Sequence, residues 1–169
     1  MKSPVITVGR DGKKYLLFYG TKRDNGCCSN FYESEFSYGS TSFRTVEQYF
    51  QYMKANTFGD LVKMNEILEA ETPAEAKRLG RKVSGFNRVR WDENKYNIMY
   101  LGVKAKFTQN EALRDWLKSV DADFIAECSP SDTTWGIGVY SYDECAADSD
   151  RWRGENLLGK ILMSVKKEL

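Results

Sequence analysis

The chain contains no histidine among its 169 residues, and this absence removes several kinds of active site at once. Ser-His and Cys-His catalysis, histidine metal sites and the most common general base are all excluded. If the protein is an enzyme, its proton transfers therefore fall mainly to carboxylates. We expect neither a bound metal nor a cofactor.

Cysteine is also sparse, with only Cys27, Cys28, Cys128 and Cys145. The adjacent pair lacks the C-x₂-C spacing of a zinc site, so free thiols are the favoured interpretation. No apolar run approaches the roughly 18 residues of a membrane span, and the first ten residues lack the apolar core of a signal peptide. We therefore expect a cytoplasmic or nuclear protein with no membrane partner.

The net charge is only +1, so no global field points to nucleic acid or membrane. The distribution is less even, because residues 77–90 hold six basic side chains and no acidic one, and Trp91 follows. This stretch is either a solvated helix end with its loop or a phosphate-binding rim, where Arg offers several donors to each anionic group.

The pattern of apolar residues predicts an α+β fold that is mostly helical with a few short strands. The length suits one compact domain over 1–169, and the absence of βαβ alternation argues against Rossmann and P-loop folds. Strands are predicted at 14–19, 35–39, 42–44 and around 124–125, and helices at 46–56, 60–68, 73–80, 94–109, 110–118 and from about 156.

The segment Thr45-Val46-Glu47-Gln48 predicts a helix start, because Thr at the N-cap and Gln three residues later form a capping box. Glu47 in the first turn has a sufficient structural explanation in the helix dipole. Alternatively, Glu47, Gln51 and Lys54 form a polar edge beside the apolar face of the helix, and such an edge can line a cleft.

The segment CSPSDTTWGIG at 128–138 is unusually rich in hydroxyls for a connector. Asp132 could simply bond its own backbone in a turn. As a site residue it would have Trp135 nearby to stack on a base or cover a sugar. Gly136 and Gly138 would let backbone amides approach a ligand closely.

Two further segments have simple structural explanations when taken alone. Ser29-Asn30-Phe31 is explained as a turn whose phenylalanine side chain packs into the apolar interior. Asn156, which follows Gly154 and Glu155, is a favoured N-cap residue for the last helix.

Read in order, these segments resemble the motifs of the NADAR (YbiA-like) family, and they cover nearly the whole chain. The motifs are Ser29-Asn30-Phe31-Tyr32; Thr45 to Gln51 with Lys54; Thr72 to Ala76 with Gly80-Arg81; Trp91 with Lys95 and Met99; Lys104 to Phe107 with Asn110 and Leu113; Ser129-Pro130, Asp132 and Trp135-Gly136-x-Gly138; and Gly154-x-Asn156-x-Leu158-Gly159-x-x-Leu162-Met163.

The resemblance implies a YbiA-like fold and N-glycosidase chemistry on ribosylated amines. Carried over by motif, Glu47 and Asp132 are the expected catalytic residues. The expected substrate-binding residues are Ser29, Asn30, Phe31, Arg81, Trp91, Trp135, Gly136 and Asn156.

Three substrate hypotheses follow from the resemblance. The first is removal of ADP-ribose from ADP-ribosylated guanine in DNA or RNA, which we favour because the basic stretch 77–90 suits diphosphate or nucleic-acid phosphates. The second is cleavage of a phosphoribosyl intermediate of riboflavin biosynthesis. The third is a non-catalytic module that binds ADP-ribose.

The chain also departs from the family pattern. Gln48 stands where many relatives carry His, so an imidazole is not essential at that position. Ile137 stands where some relatives have a polar residue. Residues 139–153 form a longer and more acidic insert, which we expect to influence substrate choice.

Overall fold

The computed structural model describes all residues, 1–169, and has an α+β fold in which helices predominate. The predicted fold class is thereby confirmed. The strands are β1 (Thr7–Val8), β2 (Lys14–Phe18), β3 (Phe36–Tyr38), β4 (Thr41–Phe43) and β5 (Phe124–Glu127); the helices are α1 (Val46–Thr57), α2 (Leu61–Glu69), α3 (Pro73–Gly80), α4 (Arg88–Gln109), α5 (Glu111–Ser119) and α6 (Leu157–Glu168).

By its internal contacts the chain divides into two compact units. The first, which we call the terminal unit, comprises Met1–Tyr32 and Glu111–Leu169. The second, the central unit, comprises Glu33–Asn110. The expectation of one domain over 1–169 stays a prediction.

The terminal unit is built on a three-stranded sheet in the order β1-β2-β5. Strand β1 pairs antiparallel with β2, whereas β2 and β5 run parallel, with Tyr15 opposite Phe124 and Phe18 opposite Glu127. Helix α6 packs on β5 through a fully buried apolar face at Leu158, Ile161, Leu162 and Val165. This packing holds the segment after β5, which contains Asp132, close to the start of α6.

The central unit packs α1 against α2, α3 and α4. The β3-β4 hairpin closes over an aromatic cluster around Tyr49, whose ring contacts those of Phe36 and Phe43. A Cβ at Gly102 of α4 would lie 2.5 Å from the Tyr49 ring, so only glycine lets the two helices approach this closely. Helix α1 is therefore held on several sides, and this fixes the side chains along its polar edge.

Most of the predicted elements are present within a residue or two of their predicted bounds, but α4 starts at Arg88 rather than at Asn94. Its N-cap is Asn87, whose side-chain oxygen accepts from the Arg90 amide at 2.9 Å. Most side chains in the first two turns of α4 are exposed and charged or polar, and Trp91 is the only buried one among them, so apolar periodicity gives little sign of these turns. Strand β1 is two exposed residues long and was not predicted.

None of the helices combines the length and the apolar composition needed to cross a membrane.

Candidate active site

Glu47 is a buried carboxylate, with only 5% of the residue exposed. It lies in the first turn of α1, which begins where the Thr45 hydroxyl accepts from the Gln48 amide at 3.1 Å. One turn further along, the Gln51 side-chain amide donates to the Glu47 carboxylate at 2.8 Å. Burying a carboxylate is costly unless hydrogen bonds compensate, so this position is more than a solvated helix start.

The Gln51 side chain occupies space that is open only because Gly80, the last residue of α3, has no side chain. A Cβ built on Gly80 would lie 1.8 Å from the side-chain oxygen of Gln51 and 2.6 Å from the side-chain amide carbon, Cδ, of the same residue. Glycine at position 80 therefore makes the space that the Gln51 amide occupies, and Arg81 follows directly at the C-cap of the same helix.

Lys54 continues the polar edge of α1 seven residues after Glu47, which is about two helical turns. Its ammonium lies 4.6 Å from the ring centre of Phe86 and 5.8 Å from that of Trp91. Burial lowers the pKa of Lys54, the nearby Arg81 charge lowers it further, and Glu47 acts in the opposite direction. The predicted polar edge along α1 is therefore present.

Trp91 is buried within α4 and packs its indole against Phe50 of α1, with ring centres 5.0 Å apart. Together with the cation–π contact from Lys54, this places an aromatic wall beside the polar edge. We call this group the central cluster; its members are Glu47, Gln51, Lys54, Arg81 and Trp91.

Gln48 has a structural role. Its side-chain amide donates to the carbonyls of Ile67 and Leu68, both at 3.1 Å, near the end of α2. Its side-chain oxygen accepts from the Arg44 amide at 2.9 Å. In this capping box the Gln48 side chain therefore accepts from the amide of Arg44, the residue before the N-cap, and not from that of Thr45. Gln48 also joins the start of α1 to the end of α2.

Asp132 organises its own loop in the terminal unit. Its Oδ1 accepts from the amides of Thr134 at 3.0 Å and Trp135 at 2.8 Å. The turn interpretation of Asp132 is therefore correct, and it is compatible with a second role. Both hydrogen bonds fall on Oδ1, so Oδ2 is the oxygen through which a substrate could be contacted.

The Asp132 loop is fastened to the start of α6 by a series of backbone hydrogen bonds. The amides of Glu155, Asn156, Leu157 and Leu158 donate to the carbonyls of Thr133, Gly136, Thr134 and Trp135 respectively, at 2.8 to 3.1 Å. Four consecutive carbonyls of the loop thus accept from four consecutive amides. This pairing holds the loop through its backbone without using the Asp132 side chain.

The loop glycines are required by this packing. A Cβ on Gly136 would lie 2.8 Å from the Glu127 carbonyl oxygen, and a Cβ on Gly154 would lie 2.2 Å from that of Gly136. Gly138 has a φ of 72°, which favours glycine. Close approach to the chain's own backbone explains these glycines; the expected ligand contact at Gly136 stays a prediction.

Asn156 does not cap α6 as expected. It adopts the left-handed conformation, with φ 53° and ψ 44°, and its side chain makes no capping hydrogen bond. Instead its Nδ2 donates to the Ile125 carbonyl of β5 at 2.9 Å, while its buried Oδ1 has no hydrogen-bond partner. Asn156 therefore joins β5 to the turn that leads into α6.

The segment Ser29-Asn30-Phe31 follows a short 3₁₀ turn at Gly26–Cys28. Ser29 and Asn30 are buried and Phe31 is half-buried. The Ser29 hydroxyl accepts from the Phe31 amide at 3.2 Å, so the predicted turn is present. The substrate-binding role of these three residues stays a prediction.

The basic stretch 77–90 spans the end of α3, a loop and the start of α4, and most of its side chains are exposed. Two of its charges face carboxylates, since Arg78 lies 3.5 Å from Glu75 and Arg88 lies 3.6 Å from Asp92. Arg81, a member of the central cluster, and Lys82, which follows it in the chain, are both exposed.

Within the central unit the structure brings together Glu47, Arg81 and Trp91 of the predicted site residues. Within the terminal unit it brings together Asp132, Trp135, Gly136 and Asn156. Gln51 and Lys54 were predicted to share a polar edge with Glu47, from their spacing of four and seven residues, but were not among the predicted substrate-binding residues.

Comparison with known proteins identifies the family. The family model described as NADAR domain matches residues 17–169. The chain is 34% identical to N-glycosidase R617 of Acanthamoeba polyphaga mimivirus, covering 92% of this chain and 96% of the relative. It is 31% identical to N-glycosidase YbiA of Escherichia coli, covering 91% and 88%.

A solved structure gives the same result for the fold. The NMR structure of the E. coli protein YbiA is similar with a TM-score of 0.74 at 30% identity, covering 91% of this chain and 83% of that one. The chain is also 30% identical to riboflavin biosynthesis protein VVA0006 of Vibrio vulnificus, covering 91% of this chain but 38% of that protein. With its motifs in order and a family model matching nearly its full length, this chain belongs to the NADAR domain family.

Proposed function

We propose that the protein is an N-glycosidase that removes ADP-ribose from ADP-ribosylated guanine in nucleic acid. The observation that carries the proposal is the buried Glu47 carboxylate, which is bonded to Gln51 and shares the polar edge of α1 with Lys54, whose ammonium contacts the Trp91 ring. Relatives whose names include N-glycosidase support the reaction class, a hydrolase acting on N-glycosyl bonds.

The chemistry requires few groups. Cleavage of an N-ribosidic bond passes through an oxocarbenium-like state, as other glycoside hydrolysis does. Water forms a bond to C1 of the ribose as the C1–N bond breaks, one proton leaves the water and one reaches the departing nitrogen. Two carboxylates meet this need in a chain that has no histidine.

We assign Glu47 to the ribose, where its carboxylate stabilises the positive charge that develops at C1 and orients the attacking water. The Gln51 amide fixes one oxygen of that carboxylate, which limits the reorganisation needed during the reaction. Lys54 and Arg81 supply positive charge for the phosphates of the substrate.

The family motifs imply Asp132 as the second catalytic residue, and we propose that it contacts the substrate through its Oδ2. The Oδ1 bonds to the Thr134 and Trp135 amides keep the carboxylate in one orientation. Trp91 and Trp135 are the rings proposed to contact the planar base and the sugar, because aromatic faces suit both.

The preference for ADP-ribosylated guanine rests on two exposed cations, Arg81 of the central cluster and Lys82, which follows it in the chain. A phosphoribosyl intermediate of riboflavin biosynthesis is the second candidate, and it is favoured by the relative named riboflavin biosynthesis protein. Such a substrate carries fewer phosphates and no nucleic-acid strand.

The deciding experiment incubates the purified protein separately with an ADP-ribosylated guanine oligonucleotide and with the phosphoribosyl flavin intermediate. Released ADP-ribose in the first reaction supports the proposal, and released ribose 5-phosphate in the second supports the other candidate. Tight binding of ADP-ribose with no release in either reaction would identify a non-catalytic reader instead. The matched control is the Glu47→Gln protein on both substrates.

A further inference from the structure

We propose that the terminal unit carries a binding surface for single-stranded nucleic acid, formed by stacked tyrosines beside a basic groove. The inference rests on the proposed function, because this strand would flank the modified guanine. The surface comprises Tyr19, Tyr140, Tyr142, Lys2, Lys22 and Arg23, and we call it the aromatic-basic surface.

The first part of the surface is a preformed stack of two rings in the insert 139–153. The rings of Tyr140 and Tyr142 are nearly parallel, with centres 4.9 Å apart and planes at 11°. Tyr142 is 75% exposed and Tyr140 is 45% exposed. A broad aromatic face thus lies in water, and such faces bind the π-surface of any base.

A tight turn holds this stack in place. The Tyr140 amide donates to the Asp143 carboxylate at 3.0 Å, and the Asp143 amide donates back to the Tyr140 carbonyl at 3.1 Å. The two rings are therefore arranged before any ligand arrives, which reduces the entropy that binding must cost.

The second part of the surface is cationic. The Arg23 guanidinium lies 5.9 Å from the ring centre of Tyr19, which is itself 42% exposed. Burial, Tyr140 and Asp143 raise the pKa of the Tyr142 hydroxyl, and the positive charge of Arg23 acts in the opposite direction. Arg23 therefore lies over the Tyr19 ring, and its charge also acts on the Tyr142 hydroxyl.

Arg23 also lines a groove with a volume of about 230 Å³, together with Lys2 and Lys22. Asp24 is the one carboxylate on the groove wall. Two acidic side chains lie next to the stack: Glu144 pairs with Arg10 at 3.1 Å, whereas Asp143 accepts from the Tyr140 amide and keeps its charge.

The combination of exposed tyrosine rings and a cationic groove favours single-stranded nucleic acid as the partner. Exposed rings beside a cationic groove suit a strand whose bases are free to stack and whose phosphates repeat along its length. A duplex hides its base faces, and a protein partner lacks the regular series of anions. The acidic insert thereby acquires a role in substrate choice through its tyrosines rather than through its carboxylates.

The test measures binding of an unmodified, fluorescently labelled single-stranded DNA of about twelve nucleotides by anisotropy. Tyr142→Ala is expected to weaken binding roughly 5- to 100-fold, because base stacking on one ring is lost. Tyr142→Phe keeps the ring and should bind within about twofold of the wild type. Tyr96→Ala, which removes an exposed tyrosine of α4, is the matched control, and circular dichroism checks the folding of each variant.

Two further arms separate stacking from charge. An abasic strand of the same length should bind the wild-type protein more weakly, since it has phosphates but no bases. The double variant Lys22→Gln/Arg23→Gln should bind more weakly and lose part of the salt dependence.

The inference is overturned if Tyr142→Ala binds like the wild type, if the abasic strand binds equally well, or if the wild type does not bind the strand. Because the probe carries no ADP-ribose, its binding can be read even if the proposed hydrolysis fails. Hydrolysis combined with wild-type binding by Tyr142→Ala would overturn this surface and leave the proposed function standing.

Discussion

The side-chain amide of Gln51 donates to the carboxylate of Glu47 at 2.8 Å, one turn apart on α1. This bond converts a residue that could be a simple helix-start carboxylate into a buried, oriented one. The proposed role of Glu47 depends on its carboxylate being buried and fixed in direction.

Replacing Glu47 with Gln removes the negative charge with little change in volume. We expect kcat on the cleaved substrate to fall roughly 10²- to 10⁴-fold, the usual range for a positioned acid–base or charge-stabilising group. Steady-state kinetics and a separate ligand-binding assay measure the effect. The control is Glu69→Gln, which alters an exposed carboxylate of α2. Near-normal turnover of Glu47→Gln with unchanged binding would show that the assignment is wrong.

Combining Glu47→Gln with Asp132→Asn tests whether the two carboxylates serve one reaction. Residues that act as a unit show strongly non-additive losses. We therefore expect the double variant to lose little more activity than the more damaging single variant. If the activity loss of the double variant instead equals the product of the two single-variant losses, the two carboxylates contribute independently.

Replacing Gly80 with Ala should displace Gln51, because the added Cβ would lie 1.8 Å from its side-chain oxygen. Overpacking of this kind costs about 1–3 kcal/mol of unfolding free energy, and catalysis should fall as the bond to Glu47 is lost. Chemical denaturation and kinetics report the two effects.

The variant Gly80→Ala/Gln51→Ala separates those effects. Removal of the Gln51 amide relieves the closest contact, so stability should recover in part while activity stays low. If Gly80→Ala alone retained both full stability and full activity, the contact between Gly80 and Gln51 would have no functional consequence.

Two substitutions at Asp132 distinguish its structural role from its chemical one. Asn retains an oxygen that can accept from the Thr134 and Trp135 amides, so stability should change by less than about 0.5 kcal/mol. Ala removes the acceptor and should cost about 1–2 kcal/mol, as loss of a cap does. Both variants should lose activity, because both lack the charge. An active Asp132→Asn enzyme would restrict Asp132 to holding the loop.

Lys54 gives the unfolding free energy a defined pH dependence. Its pKa is lowered in the folded protein, chiefly by burial and also by Arg81, so between that pKa and the ordinary value of 10.5 the unfolded chain binds more protons. Stability from this residue therefore rises with pH across that interval and is lowest below it.

Urea denaturation of the wild type and of Lys54→Met at several pH values from about 7 to 10 measures this contribution as a difference. Lys82→Met, which alters an exposed cation, is the control. The pH-dependent difference in unfolding free energy between it and the wild type should be smaller or absent. A wild-type curve parallel to that of Lys54→Met would contradict the lowered pKa.

Local signals in the sequence were sufficient for most of the secondary structure. Thr72 shows why: its hydroxyl accepts from the Glu75 amide at 3.2 Å and Pro73 occupies the first turn, and these are interactions between residues three positions apart. The start of α4 was missed because its first two turns bury only Trp91 and have no apolar stripe, so no periodic pattern accompanied the capping residue Asn87.

The sequence by itself determined the class of fold, the family motifs and the reliance on carboxylates, because caps, periodicity and residue types are local properties. Only the tertiary structure decided what those residues do. The space at Gly80 that admits Gln51, the bond from Asn156 to Ile125 in place of a helix cap, and the pairing of the Asp132 loop with the start of α6 all join residues that are distant along the chain. Such contacts depend on how elements pack, and packing is not encoded in any short segment.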